Sequence, residues 1–270
     1  MRKVAVITGG SSGIGKALVN TYAKNGYAVV FTGRDENRSA EVARNVRSRH
    51  HDEIFYQIMD VKDERSNESL VKTAVEKFGQ IDVLICNAGI SMRALIEDIK
   101  IEVFKEVIDT NFYGALYLVK AALPHIIKQK GTIIGISSVN GLRSTPARSA
   151  YSVSKFAMQG FFETLRMEMV QHDVHVLVVN PGFTKSNIRI KALDENGHAQ
   201  GHSPKNEDKM MSPEEVAELT YRAMIRRKRS LVLTAAGRWL YRLSFFFPGY
   251  IDRILLKVFA REEDSPVKSA

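Results

Sequence analysis

The chain has 270 residues, 44% of them hydrophobic and 26% charged, which is ordinary globular usage and excludes fibrous and wholly disordered classes. Its single cysteine, Cys86, excludes an intrachain disulfide and a cysteine-rich metal site. The net charge of +9 is unevenly spread: residues 1–225 hold 29 Lys and Arg against 26 Asp and Glu, whereas residues 226–270 hold 10 against 4, so the excess needs a local explanation.

Met1-Arg2-Lys3 precedes only the short apolar run Val4-Ala5-Val6-Ile7, too brief for a secretion signal or a membrane span, and a reducing, cytoplasm-like compartment is expected. That run opens the first of seven apolar, β-branched stretches, at 3–8, 27–32, 54–59, 81–86, 131–137, 174–180 and 230–234. Helical patterns lie between them, such as Ile14-Ala17-Leu18-Tyr22 and Leu70-Val71-Ala74-Val75-Phe78. Strands apolar on both faces that alternate with helices predict a parallel sheet covered on each side. The chain therefore reads as α/β, one doubly wound domain over 1–235 with a C-terminal extension, 236–270, that is no domain of its own.

The first strand runs into Thr8-Gly9-Gly10-Ser11-Ser12-Gly13-Ile14-Gly15. Glycines at a strand-to-helix turn let the backbone approach a pyrophosphate seated over the positive helix end. The spacing departs from Gly-x-Gly-x-x-Gly, and tight packing alone would use the same residues. Gly9, Ser11, Ser12, Gly13, Ile14 and Gly15 are the candidate cradle. The second strand ends in Thr32-Gly33-Arg34, where a carboxylate would hold an adenosine ribose 2′-hydroxyl. A guanidinium there suits a 2′-phosphate, so NADP(H) is expected rather than NAD. Asp35 and Glu36 are expected to start the next helix, where acids suit the dipole.

Asp60-Val61 closes the third strand and Asn87-Ala88-Gly89 the fourth, at the carboxyl ends where ligands of open α/β sheets bind. Cys86, one step earlier, reads as a buried small hydrophobe. Ser138 follows the fifth strand, and Tyr151 and Lys155 stand four apart in a helical stretch, on one face. An ammonium beside a phenol favours the phenolate and draws a pKa of about 10 toward neutrality. Such a tyrosine can exchange a proton with a substrate oxygen, to which Ser138 can donate a hydrogen bond.

These motifs together resemble the short-chain dehydrogenase/reductase family over roughly residues 3–235. Its Thr-Gly-x-x-x-Gly-x-Gly pattern falls on Thr8, Gly9, Gly13 and Gly15, and its Asn-Ala-Gly on Asn87 to Gly89. The resemblance implies a Rossmann-type fold and a catalytic tetrad of Asn111, Ser138, Tyr151 and Lys155. It also implies that Tyr151 and Lys155 border the nicotinamide ribose and that Pro181, Gly182 and Thr184 belong to the nicotinamide-binding stretch. Ser186 stands where many members have threonine, and keeps the hydroxyl.

The remaining signals read more plainly. His50, His51, His172, His175, His198 and His202 lack metal-ligand spacing, and no metal is expected. Met158, Met167 and Met169 suit core or subunit contact, and Arg226-Arg227-Lys228-Arg229 suits a helix C-terminus rather than nucleic acid. The irregular segment 185–212 is long enough to be functional or mobile. In the tail, Tyr250, Ile251, Ile254, Leu255, Val258 and Phe259 are expected on one helical face, opposite Asp252, Arg253 and Lys257. Pro248 and the charges forbid a spanning helix. The segment suits either a peripheral membrane contact or packing on the domain. The expected activity is NADPH-dependent reduction of an apolar, lipid-like ketone, in a homodimer or homotetramer; the alternatives are a 3-oxoacyl-carrier-protein reductase and a catalytically idle NADP-binding regulator.

Overall fold

Each apolar stretch becomes a strand: β1 Val4–Ile7, β2 Ala28–Gly33, β3 Ile54–Ile58, β4 Val83–Cys86, β5 Thr132–Ile136, β6 His175–Asn180 and β7 Ser230–Val232. The computed structural model describes residues 2–204 and 210–268. All strand pairs are parallel, and the order is β3-β2-β1-β4-β5-β6-β7. The chain therefore winds outward in both directions from β1 and β4, leaving a crevice at their carboxyl ends, where this class of sheet places ligands.

Alternation along the strands divides the core. Ala5, Ile7, Val29 and Phe31 face one layer with Leu18, Tyr22, Val42, Val46 and Val216. Val6, Val30, Leu84 and Cys86 face the other with Leu70, Leu118, Ile126 and Phe162. The covering helices are α1 Gly13–Lys24, α2 Glu36–Arg49, α3 Glu64–Phe78, α4 Ile101–Ile108, α5 Gly114–Gln129, α6 Ser149–Glu168 and α7 Pro213–Ile225. Their starts are written locally. Asp35 caps α2 by accepting from Arg38 N at 3.1 Å, as expected from its position, and Ser212 caps α7 ahead of Pro213 by accepting from Glu215 N at 3.1 Å. Arg226–Arg229 follows the end of α7 directly.

Between α4 and α5 the backbone makes one π turn, Asp109–Tyr113, in which Gly114 N donates to Asp109 O. The run 101–129 is thus one helical path with an oversized turn in its middle, a feature that often marks function.

The tail forms two helices, α8 Ala235–Phe246 and α9 Pro248–Ala260. The single apolar face expected for α9 is split. Ile251, Leu255 and Phe259 are buried, with Leu240 of α8 against them, whereas Tyr250, Ile254 and Val258 point to solvent. A four-residue step of 3.6-residue geometry places each of those pairs on adjacent rows, and only one row meets the neighbouring helix. No helix among the described residues is long and apolar enough to cross a membrane.

The segment 185–212, expected as an irregular loop, is anchored where it is described. Leu193 N donates to Ser91 O at 2.9 Å, Arg93 N donates to Leu193 O at 2.8 Å, and Thr184 bridges to Met211. Residues 205–209 of that segment lie outside the described residues.

Candidate active site

The Gly-rich turn is locked to the fourth strand before it can meet any ligand. Thr8 Oγ1 accepts from Asn87 N and Ala88 N, each at 3.1 Å, and Asn87 Nδ2 donates to Thr8 O at 2.8 Å. A methyl on Gly15 would lie 2.0 Å from Gly9 O, so helix α1 leaves the strand at a distance that no side chain permits. Gly9 and Gly13 take positive φ, +67° and +50°. Ser12 starts α1 without a side-chain cap, and the first turn carries no acid. Its free backbone N–H groups and the positive helix end fit an anionic pyrophosphate. Ser186 stands over this turn, its Cβ 3.4 Å from where a Gly13 side chain would begin.

Arg34 is exposed at the end of β2 and has no hydrogen bond or ion pair among the described residues. The neighbouring Asp35 is committed to Arg38, through both its backbone N–H and its guanidinium. The turn and the cradle fit the pyrophosphate of a dinucleotide. Asp60 Oδ1 accepts from Lys62 N at 3.0 Å, and Val61 packs against Gly114 at the end of the π turn. Pro181 O accepts from Val139 N at 3.0 Å, Gly182 abuts Thr234, and buried Thr184 donates to Gly182 O at 3.3 Å.

The four candidate catalytic residues approach this crevice from three elements: the π turn, the end of β5 and α6. Asn111 sits in the π turn, fully buried, accepting from Ile90 N at 2.8 Å and donating to Ile90 O at 3.0 Å and to Ser154 Oγ at 2.9 Å. A methyl at Gly89 would sit 3.0 Å from Asn111 Oδ1 and 3.6 Å from Lys155 Nζ, so only a small residue leaves this floor open. Ser138 Oγ accepts from Asn140 N at 3.1 Å, which orients the hydroxyl beyond β5. Lys155 is 4% exposed; its Nζ donates to Ile136 O at 2.9 Å and lies 5.8 Å from the Tyr151 ring centroid.

The electrostatics correct the expectation for Tyr151. Burial raises its phenol above the ordinary value, and Ser138, then Arg148 and Arg189, act in the opposite direction. Lys155 is not among these causes, because burial holds the lysine itself down at about 8, from 10.5, and its donor is turned to Ile136 O. Sequence spacing fixes which face the two share, but it carries no information about desolvation. Cys86 is buried as expected, and burial pushes its thiol up to about 12.

The low lysine value has a consequence for stability. Between about pH 8 and 10.5 the unfolded chain still holds a proton that the folded chain has lost. The contribution is therefore most favourable above 10.5 and is lost as the pH falls through about 8. Lys155→Met is expected to stabilise the fold at neutral pH by about 1–3 kcal/mol while removing turnover. Thermal melting of both proteins across pH checks it, and the gap between them should narrow above pH 8.

With this geometry in place, the comparison with known proteins is direct: the short chain dehydrogenase family profile matches residues 3–197. The chain belongs to the short-chain dehydrogenase family. It is similar to dehydrogenase/reductase SDR family member 7B of Xenopus laevis, 39% identical over 236 residues, covering 85% of this chain and 73% of that protein. It is also similar to the Drosophila melanogaster SDR family protein 7-like, 30% identical and covering 99% of this chain and 83% of that protein. Among solved structures, an alcohol dehydrogenase from Thermococcus sibiricus complexed with 5-hydroxy-NADP is 28% identical, with TM-score 0.76 over 86% of this chain and 96% of that one. A short-chain dehydrogenase/reductase from Burkholderia phymatum in complex with NAD shares the fold, with TM-score 0.82, 23% identity and coverage of 92% and 95%. This short-chain dehydrogenase is thus an oxidoreductase.

Sequence reading missed a group of buried charges beside Tyr151. Arg93, Arg148 and Arg189 are each buried, and the tail supplies Glu262. Arg93 Nη2 lies 3.5 Å from Glu262 Oε2 and donates to Glu263 O at 2.7 Å. Ser154, which seats Asn111, was also missed. Arg148 had one signal: it stands three residues before Tyr151, at helical spacing.

Proposed function

We propose that the protein reduces a ketone with NADPH, Tyr151 giving its proton to the carbonyl oxygen and Ser138 orienting that oxygen. The observation that carries this reading is the gathering at one crevice of Tyr151, on whose phenol Ser138 acts, buried Lys155 with its Nζ 5.8 Å from the Tyr151 ring, and buried Asn111. When bound, the nicotinamide supplies the hydride. Gly9 and Ser11 to Gly15 would hold the pyrophosphate, Arg34 the 2′-phosphate, and Asp60, Val61 and Asn87 to Gly89 the adenosine side and the floor. Lys155, with a pKa of about 8, is suited to return a proton to Tyr151 at neutral pH. The long segment 185–212 and the tail favour an apolar substrate. NADPH consumption against a panel of ketones, long-chain apolar ketones and a carrier-bound 3-oxoacyl thioester included, tests the assignment. Tight NADPH binding with no oxidation by any of them would leave an idle regulator instead.

The coenzyme preference follows from Arg34 and from the absence of an acid at that strand end. NADPH is expected to bind at least about tenfold tighter than NADH. Arg34→Ala should narrow that ratio without changing the chemical step. A fluorescence titration with both coenzymes reads this.

A second observation supports a peripheral membrane contact. Trp239, Phe245, Phe246, Phe247 and Tyr250 are exposed on the outer side of α8 and α9, Phe246 by 77%, beside Arg238, Arg242, Arg253 and Lys257. The full chain is expected to sediment with anionic vesicles. Replacing Phe245, Phe246 and Phe247 together by serine should abolish this, while added salt should only weaken it.

A further inference from the structure

One helical turn beyond Lys155, the face of α6 that carries Tyr151 bears a further polar group, Gln159. Its amide reaches two strand ends at once. Gln159 Nε2 donates to Asn180 Oδ1, the last residue of β6, and to Ser137 Oγ at 3.4 Å, just past the end of β5. Ser137 Oγ in turn donates to Lys155 O at 3.1 Å, so one amide and one hydroxyl join β5, β6 and α6. The junction is closely packed. Ser137 is buried and Asn180 wholly so. A methyl on Gly141 would lie 2.6 Å from Ser137 Oγ and 2.7 Å from Lys155 O, so the turn that follows Ser138 closes directly on it. Each segment joined here carries a group of the proposed reaction. Ser138 follows Ser137, Pro181 and Gly182 follow Asn180, and Tyr151 and Lys155 lie on the helix. The arrangement also costs stability. Asn180 Nδ2 is buried with no partner among the described residues, a penalty that an apolar side chain of similar size would avoid. A core shaped for stability alone has no use for that donor.

We propose that Gln159, acting through Ser137 and Asn180, is a positioning residue that fixes Ser138 and the Pro181-Gly182 stretch relative to Tyr151 and Lys155. This rests on the reading of those groups as the place of hydride and proton transfer. A shift at the junction moves two things together: the hydroxyl that orients the substrate oxygen, and the stretch that borders the nicotinamide. A displacement of about 1 Å between reacting groups is enough to slow a reaction roughly a hundredfold.

The test uses the full chain with the tighter-bound of NADPH and NADH. Gln159→Met keeps the length of the side chain and removes both donated hydrogen bonds. ADP-ribose, which lacks the nicotinamide ring, should bind this variant as tightly as wild type. The fluorescence anisotropy of the bound reduced coenzyme, which reports the nicotinamide ring itself, should fall. Single-turnover hydride transfer to a ketone that the panel identifies should slow by about tenfold or more, with KM within a few-fold. Ser137→Ala should give a similar loss, and the two changes combined no more than the larger single loss, since both break one junction. Gln159→Met with Asn180→Leu makes the pair apolar; that protein should melt at or above the wild-type temperature and stay slow. A folded Gln159→Met protein with wild-type anisotropy, or with wild-type turnover of an active ketone, would overturn the proposal. So would an apolar pair that recovers both melting and rate. If Gln159→Met alone fails to fold, the apolar pair and Ser137→Ala decide. A fall in anisotropy in a protein whose wild type reduces no ketone would support the positioning role and count against the reductase reading instead.

Discussion

Replacing Tyr151 by phenylalanine is expected to lower turnover by about a thousandfold, since positioned proton transfer is worth roughly 10²–10⁴. Coenzyme affinity should stay within a few-fold, because the substitution removes one hydroxyl and keeps the ring that lies near Lys155. The ring also packs with Met92, Val103, Val107 and Ala150, so the fold keeps that contact. The phenol is the group in this cluster that Ser138, Arg148 and Arg189 all act upon. Single-turnover measurement of NADPH oxidation, alongside coenzyme titration, separates the two effects. Activity above a few per cent would mean that another group supplies the proton.

Gly15→Ala is expected to be the most damaging one-carbon change in the chain. Its methyl would meet Gly9 O at 2.0 Å, and the amide of Asn87 stands on the other side at 2.6 Å. Neither neighbour can give way cheaply. Gly9 O is backbone, and Asn87 Nδ2 is bonded to Thr8 O. Helix α1 must therefore shift away from β1, at a cost of about 2–3 kcal/mol. That corresponds to a fall in melting temperature of roughly 4–12 °C for a domain of this size. The same shift spoils the backbone cradle, so coenzyme affinity should fall more than stability does. Melting with and without saturating NADPH reads both. A variant that melts normally and binds normally would show that the turn has slack its geometry does not reveal.

The strands were legible because a parallel sheet buried on both faces leaves unbroken apolar runs, and β1 to β6 each fall within their expected stretch or one residue beyond it. The nearness of Tyr151 and Lys155 was legible as spacing, since four residues on a helix bring two side chains to one face. What stayed hidden depends on contacts distant in sequence. Arg93 and Glu263 meet across 170 residues, and nothing local announces that the tail seats the Glu262 carboxylate against Arg93. Asn111 was reached only by resemblance, because its display depends on the backbone of the π turn and on Ile90 and Ser154. The direct effect expected of Lys155 on Tyr151 failed for a similar reason. Burial sets both groups, and burial is a property of the packed state. The tail's apolar row split because only Ile251, Leu255 and Phe259 found a partner.

The π turn at Asp109–Tyr113 amounts to one surplus residue accommodated inside a helix that runs from 101 to 129. Removing a residue from it would let regular i to i−4 bonding run through the 109–114 turn, and that turn is expected to become straighter and more stable. The carboxamide of Asn111 would then rotate away from Ile90 and Ser154. A single deletion is therefore expected to give a sturdier protein that has lost the contacts of Asn111. A deletion library sorted for thermal resistance should enrich that shortened helix, and the same library sorted for turnover should eliminate it.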